Sequence, residues 1–331
     1  MKWLVRSVLL GLLALCFQDP AQAADKKILL VQSYHQGYEW TDAITAGVQK
    51  ALQGQSTQFE VFYMDTKRKN DNAWKEEAGK LAQQKIEEWK PDVVITGDDN
   101  ATQYVAKYFA NKPNAPQIVF CGVNAEASKY GYPAPNLTGI LERPHFKDSI
   151  QMLLKISPNV KKVAFLSDDG ETSTAVVQYL KTQKADIEVV SYDQPSTFDE
   201  WKSTVQGYQN KVDAFIINNY HTVKKTTGDK QSMPPKDVMD WTVKNNKLPT
   251  VAFFPFGIED GLLCGIAESG DEHGYKAAQI ALQMIQNNKT AKDFPITTAG
   301  EGIVMLNLRT AENLGIKVPY DVIKTAQKVA K

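Results

Sequence analysis

Short β-branched runs alternate with longer amphipathic ones along almost the whole chain, and the series is interrupted once and then starts again. Residues 28–31 read as a buried strand. Residues 40–52 read as a helix with Ile44, Val48 and Leu52 on one face. The next strand is 59–63, and 74–89 is a helix that turns Trp74, Ala78, Leu81, Ala82, Ile86 and Trp89 inward. Strand 92–96, helix 101–109 and strand 118–121 follow. Strand–helix–strand units of this kind require a parallel sheet with right-handed crossovers, because only that hand packs a helix back onto a twisted sheet.

Pro113, Pro116, Pro133, Pro135 and Pro144 then break the pattern. Residues 137–141 read as a strand leaving the first sheet, and Glu142-Arg143-Pro144 as a crossover. The series restarts with helix 146–156 and strand 162–166, then helix 173–184, strand 187–192, helix 199–209 and strand 214–218. Helix 236–245, strands 250–254 and 262–267, helix 272–286, strand 303–306 and a terminal helix 319–329 complete it. Two such series in tandem, with a late return, describe an α/β fold of two doubly wound parallel-sheet lobes joined by a hinge. The expected division is 24–141 plus about 268–295 for lobe 1, and 142–267 plus about 296–331 for lobe 2.

The first 23 residues read as a cleavable signal peptide. Lys2 and Arg6 give the positive start, residues 8–17 the apolar run, and Ala21-Gln22-Ala23 the small-x-small cleavage pattern. The apolar run is too short for a membrane span. Cys16 follows Leu15, where a lipoprotein signal has a small residue, so cleavage after Ala23 fits better than lipidation. The expected destination is the periplasm. Removing Lys2, Arg6 and Asp19 from 38 basic and 38 acidic residues leaves 36 and 37, a balance that offers no field for nucleic acid or a membrane surface. Cys121 and Cys264 sit in apolar strands and read as buried free thiols, although an oxidising compartment permits a disulfide.

Enzyme signatures are absent. No GxGxxG follows a strand, no GxxxxGK[ST] and no GxSxG occur, and the four histidines lack metal-ligand spacing. A secreted hydrolase or oxidoreductase would need a nucleophile–base pair or a cofactor motif at the strand ends, and neither is found. No catalytic residue, metal or cofactor is therefore expected.

The strand ends carry the functional signal, because ligands of open α/β sheets sit beyond the carboxyl ends of the strands. The first strand runs into Ser33, Tyr34 and His35, then Tyr38 and Trp40. Three aromatics and a histidine here exceed what a hydrophobic staple needs. Later strands end at Asp98 and Asp99, at Asn124, at Asp168 through Glu171, Thr172 and Ser173, at Asn219 and Tyr220, and before Phe256. Asp98-Asp99-Asn100 and Asp168-Asp169-Gly170 are equally readable as helix caps and turns. The arginines after the leader, Arg68, Arg143 and Arg309, fall outside these loops, so arginine capture of a carboxylate is not expected. The acids favour a cationic or hydroxyl-rich ligand, and the aromatics an aromatic one. An aromatic or amine-bearing small molecule is the expectation.

Several segments, taken in order, resemble a known family: Pro116-Gln117-Ile118-Val119-Phe120 and Asn136-Leu137-Thr138-Gly139, then Ser157-Pro158-Asn159-Val160-Lys161-Lys162-Val163-Ala164. Gly274-Tyr275-Lys276-Ala277-Ala278-Gln279-Ile280-Ala281 and Asn307-Leu308-Arg309-Thr310-Ala311 before Leu314-Gly315-Ile316-Lys317-Val318-Pro319 continue it. The succession is similar to the ABC-transporter substrate-binding proteins that include tryptophan- and tyrosine-binding members. The resemblance implies a type I periplasmic-binding fold, a ligand held in the interlobe cleft by hinged closure, a monomer, and delivery to an ABC permease. The stretch Ser33-Tyr34-His35-Gln36-Gly37-Tyr38-Glu39-Trp40 departs from the family's small-residue turn. It looks similar to extracytoplasmic sensor regions on the same fold, which would make a membrane sensor protein the partner instead.

Overall fold

The computed structural model describes residues 26–300 and 302–330. The expected signal peptide, 1–23, and Cys16 lie outside the described residues. Lobe 1 begins with β1 (Lys26–Gln32), α1 (Glu39–Leu52), β2 (Thr57–Tyr63), α2 (Asn72–Trp89) and β3 (Val93–Gly97). A short helix α3 (Asp98–Ala101) runs on through a π-helical turn (Thr102–Ala106) into α4 (Lys107–Phe109), and β4 (Gln117–Val123) and β5 (Leu137–Leu141) follow. The apolar centres of β1, β3 and β4 are buried on both faces, which explains why they read as unbroken hydrophobic runs rather than as alternating ones.

Lobe 2 repeats the scheme with α5 (Phe146–Ile156), β6 (Lys162–Leu166), α6 (Glu171–Leu180), β7 (Glu188–Asp193), α7 (Phe198–Tyr208) and β8 (Ala214–Ile217). Helix α8 (Pro235–Asn245), strand β9 (Thr250–Val251), helix α9 (Pro255–Glu259) and strand β10 (Cys264–Ala267) complete that series. The chain then returns to lobe 1 with α10 (Gly270–Asn287) and β11 (Thr297–Thr298), and crosses again to β12 (Ile303–Asn307), α11 (Leu308–Asn313), α12 (Tyr320–Thr325) and β13 (Lys328–Ala330).

The first sheet has the order β11-β5-β4-β3-β1-β2 and is parallel throughout. The second has the order β13-β12-β10-β9-β8-β6-β7, parallel except where β10 meets β12. Both sheets reverse winding direction beside their first strand, and that reversal opens a crevice at the carboxyl ends. Three crossings link the lobes: Leu141 to Phe146, Ala267 to Gly270, and Thr298 to Ile303. This is a type I periplasmic-binding fold.

Two elements differ from the sequence expectation. The terminal helix stops at Thr325, and Lys328–Ala330 pairs with β12 as a strand, with Gln327 exchanging hydrogen bonds with Val304. The β-branched Val329 gains more as a sheet edge than as the last turn of a short helix. The strand expected over 250–254 ends at Val251, because Pro255 opens α9 and drives the preceding residue, Phe254, into an extended conformation. Cys121 and Cys264 are both buried free thiols.

Candidate functional site

The two lobes touch along the crevice, and lobe 1 meets lobe 2 through named pairs. The Tyr34 hydroxyl lies 2.8 Å from Thr172 Oγ1, and Lys129 Nζ lies 2.8 Å from a Glu171 oxygen. Asn70 Nδ2 donates to Thr222 O at 3.2 Å, and Ser232 Oγ donates to Lys67 O at 2.9 Å. Each lobe-1 member sits just beyond the end of β1, β2 or β4, and most of the lobe-2 members beyond β6 or β8, as the fold dictates.

An aromatic wall runs through this seam. Trp40 packs edge-on against Phe254, with ring centres 5.4 Å apart, and Phe254 stacks on Phe256 at 5.1 Å. Tyr38 meets Tyr34 at 5.4 Å, His221 at 4.8 Å and Phe256 at 6.0 Å. Lys67, buried to 4% exposure, holds its ammonium 4.7 Å from the Tyr34 ring centre and 5.7 Å from that of Tyr38.

Beside the wall lies a group of buried acceptors. Trp40 Nε1 donates to Asp98 Oδ1 at 2.7 Å, while Asp98 Oδ2 has no partner among the described residues. Asn124 Oδ1 and Glu142 Oε1 are likewise buried and unpartnered. Glu142 N bonds Val123 O, which sets its side chain next to the Asn124 loop. Burial pushes the Asp98 carboxyl up to about 8, with the neighbouring Asp99 adding to it and the Trp40 N–H opposing it. Burial also pushes Glu142 well up, helped by the charges of Glu268 and Asp98. Burial lowers the Lys67 ammonium, against the pull of Asp168, Asp98 and Glu142. The same burial lowers His221 to about 3, with the Lys67 charge adding to it, so its imidazole is neutral. Three buried carboxyls, Asp98, Glu142 and Asp168, thus act electrostatically on one buried ammonium.

The strand-end residues divide into two groups. Tyr34, Tyr38, Trp40, Asp98, Asn124, Thr172 and Phe256 come together at the seam. His35 lies at its open mouth, 3.6 Å from Asp65, in a cavity of about 760 Å³ shared with Tyr38, His221 and Phe256. Others are occupied with holding loops. Ser33 Oγ donates to Gly97 O and accepts from Ala101 N. Asp99 accepts from Asn124 N, Ala125 N and the Tyr130 hydroxyl, so both its oxygens are taken. Asp168 accepts from Ser173 Oγ, Gly170 N and Thr222 N. Although burial pushes Asp168 up, Lys67 and these donors hold it below the usual carboxylate range. Glu171 pairs with Lys129, Asn219 Oδ1 lies 3.1 Å from His221 Nδ1, and the Tyr220 hydroxyl donates to Asp260.

Three seam residues escape strand-end reasoning: Lys67, Glu142 and Phe254. The sequence also places Arg68 outside the strand-end loops, whereas it lines the mouth just beyond β2. Its guanidinium donates two hydrogen bonds to Asp65, at 2.7 Å to each oxygen.

The fold and the crevice define a two-lobed ligand-binding protein. The sequence matches the family described as ABC transporter substrate binding protein over residues 37–330, and the chain belongs to that family. A curated relative, the tyrosine-binding protein of Clostridioides difficile strain R20291, is 24% identical over 198 residues. That alignment spans 58% of this chain and only 54% of the relative, about half its length. Among solved structures, the ABC domain in complex with L-Trp from Streptococcus pneumonia has a TM-score of 0.71 at 19% identity, covering 92% of this chain and 100% of that one. A conserved domain protein from Vibrio cholerae also has a TM-score of 0.71, at 18% identity with 92% and 99% covered. The ligand-free, open structure of a substrate binding protein with adhesive properties from Clostridium difficile reaches 0.66 at 18% identity, with 92% and 99% covered. These likenesses establish the fold, and the family, the tyrosine-binding relative and two of these neighbours are described as binding proteins or hold a ligand.

Proposed function

We propose that the protein is a periplasmic solute-binding protein that closes its lobes over a small amine-bearing, aromatic molecule and delivers it to an ABC importer. One observation carries the ligand class: Asp98 Oδ2, Asn124 Oδ1 and Glu142 Oε1 are buried beside the aromatic wall without a partner among the described residues, and all three are acceptors once a bound ammonium displaces the carboxyl protons. Buried polar atoms are nearly always paired, so unpaired acceptors point to a guest that brings N–H groups. An ammonium supplies up to three, together with the charge that two strained carboxyls favour. Trp40, Phe254, Tyr38 and Phe256 supply stacking surface for an aromatic body and a cation–π contribution. The L-Trp complex and the tyrosine-binding relative are consistent with such a guest.

Calorimetric titration of the purified protein with aromatic amines, aromatic amino acids and sugars tests this reading. Micromolar binding corresponds to about 8 kcal/mol. An aromatic amine that binds wild type and fails on Asp98→Asn supports it; a neutral sugar that binds both equally would sink it. Deleting the gene should abolish uptake of that ligand. Retained uptake with loss of a ligand-dependent signalling response would favour a membrane sensor as the partner.

A further inference from the structure

On the far side of the Tyr34–Thr172 bridge lies a second chamber of about 200 Å³, also enclosed between the lobes. Its character is opposite to that of the acceptor-lined seam. Lys67, Lys75 and Lys224 all line it, from the loop after β2, the first turn of α2 and the loop after β8. None of the three ammonium groups makes a hydrogen bond or an ion pair among the described residues; the only contact of Lys67 Nζ is with tyrosine rings. Lys75 is half-buried, and burial lowers it against the pull of Glu171 and Asp169.

Helix α6 points its amino end into the same space through Gly170, Glu171 and Thr172, and no side chain caps it. Its first-turn N–H groups have no acceptor within the helix, and the helix dipole places partial positive charge there. The opposing charges are Asp168, whose oxygens already take Gly170 N, Thr222 N and Ser173 Oγ and whose charge acts on Lys67, Asp169, which is exposed, and Glu171, whose carboxylate is bound by Lys129; Lys75 and Lys224 are the cations left over. Two further atoms aim inward without a partner: Thr222 Oγ1 and Asn100 Oδ1, on residues that are 4% and 5% exposed.

We propose that this chamber is an anion site, in which a small oxyanion, carboxylate or phosphate, is held by Lys75, Lys224 and Lys67 against the amino end of α6. Thr222 donates its hydroxyl to the anion, and Asn100 Oδ1 accepts from any hydroxyl the anion carries. The oxyanion arrives either as a free ion or as the acidic end of the molecule bound in the seam.

Calorimetry and thermal unfolding of the purified protein decide between these outcomes. Inorganic phosphate is titrated against potassium chloride of equal ionic strength, and tryptamine is compared with tryptophan, which differs only by a carboxylate. The variants are Lys75→Gln, Lys224→Gln and the double substitution; both side chains are partly exposed, so the fold tolerates the change. A free-ion site shows phosphate binding to wild type that weakens at least about tenfold in the double variant, the loss expected for a charged hydrogen bond. A ligand-borne anion shows tryptophan binding at least about tenfold tighter than tryptamine, with the gap closing in the double variant while tryptamine is unaffected. Phosphate no better than chloride, together with equal binding of tryptophan and tryptamine in wild type and variant, overturns the proposal. Failure of both indoles to bind counts against the amine reading of the seam and leaves the phosphate titration to decide this one.

Discussion

The indole nitrogen of Trp40 donates to one carboxyl oxygen of Asp98 at 2.7 Å, and the other oxygen of Asp98 is buried without a partner. Trp40 opens α1 and Asp98 opens α3, so the bond ties the helices that follow two neighbouring strands. It fixes one oxygen of the carboxyl and leaves the other free. Trp40 itself is only 4% exposed and packs into the core as well as forming part of the wall. Trp40→Ala would therefore remove both the bond and a large buried ring, at about 3–5 kcal/mol. Trp40→Phe keeps most of the packing and removes the donor; it should weaken an amine ligand about fivefold while lowering stability by only about 1 kcal/mol, measured by titration and urea unfolding.

Asp98 also sets a pH dependence. Its carboxyl is pushed up to about 8 by burial, from an ordinary value of 3.8, so the folded protein keeps a proton that the unfolded chain has released. Stability from this group is therefore present below the unfolded value and is lost as pH rises toward about 8, because the unfolded state binds fewer protons across that window. Asp98→Asn should raise the melting temperature at pH 8 and flatten its dependence between about pH 4 and 8. A bound ammonium replaces that proton. Amine binding near neutral pH should release about one proton, read from calorimetry in buffers of different ionisation enthalpy, and Asp98→Asn should release less. A binding heat that does not vary with buffer would refute the exchange.

The bridge from Tyr34 to Thr172 is a latch between lobes. Hinged closure stores its energy in such contacts, which exist only when the lobes meet. Burial pushes the Tyr34 hydroxyl well above its usual range, so it remains neutral at any working pH. Tyr34→Phe removes one hydrogen bond worth about 1 kcal/mol and leaves the ring that packs on Tyr38. Ligand dissociation, followed by stopped-flow fluorescence, should accelerate about fivefold, with thermal stability of the ligand-free protein shifted by less than about 3 °C. An unchanged off-rate would mean that the latch is not broken during release.

The fold was legible because its signal is redundant: most strands and helices repeat the same local pattern, and the restart after the prolines announces the second lobe. The site was legible only in part. Tyr34, Trp40 and Asp98 stand out because they follow strands directly. Asp98 and Asp99 are adjacent acids, yet one faces the seam and the other fastens the loop at Asn124, and sequence alone does not distinguish them. Lys67 sits four residues beyond β2 among ordinary turn residues, and its burial comes from segments distant in sequence, the Tyr34 and Tyr38 rings and Ser232 of the second lobe. Glu142 read as a crossover; its burial arises where three crossings pack together, which leaves no local trace. Residues whose environment is built by distant segments were the ones missed.

The helices α1 and α10 show how closely that distant packing is specified. A Cβ at Gly274 would overlap the carbonyl of Ile44, and one at Gly47 the carbonyl of Asp271. Each helix thus presents a glycine to the backbone of the other, so neither neighbour is a side chain that can swing away. Helix α10 begins directly after the Ala267 to Gly270 crossing, and its seating on α1 fixes where that crossing enters lobe 1. Overpacking at such a contact costs about 1–3 kcal/mol, more where backbone must move. Alanine is otherwise the better helix former by roughly 1 kcal/mol, so the intrinsic preference works the opposite way. Gly274→Ala should therefore lower the melting temperature by about 3–10 °C despite improved helix propensity. It should also alter the open–closed balance seen by small-angle scattering, since the crossing would be displaced. Gly207→Ala in α7, where a Cβ meets nothing, is the control and should be neutral or slightly stabilising. A melting temperature for Gly274→Ala at or above wild type would mean that the helices separate without penalty, and that their contact does not set the hinge.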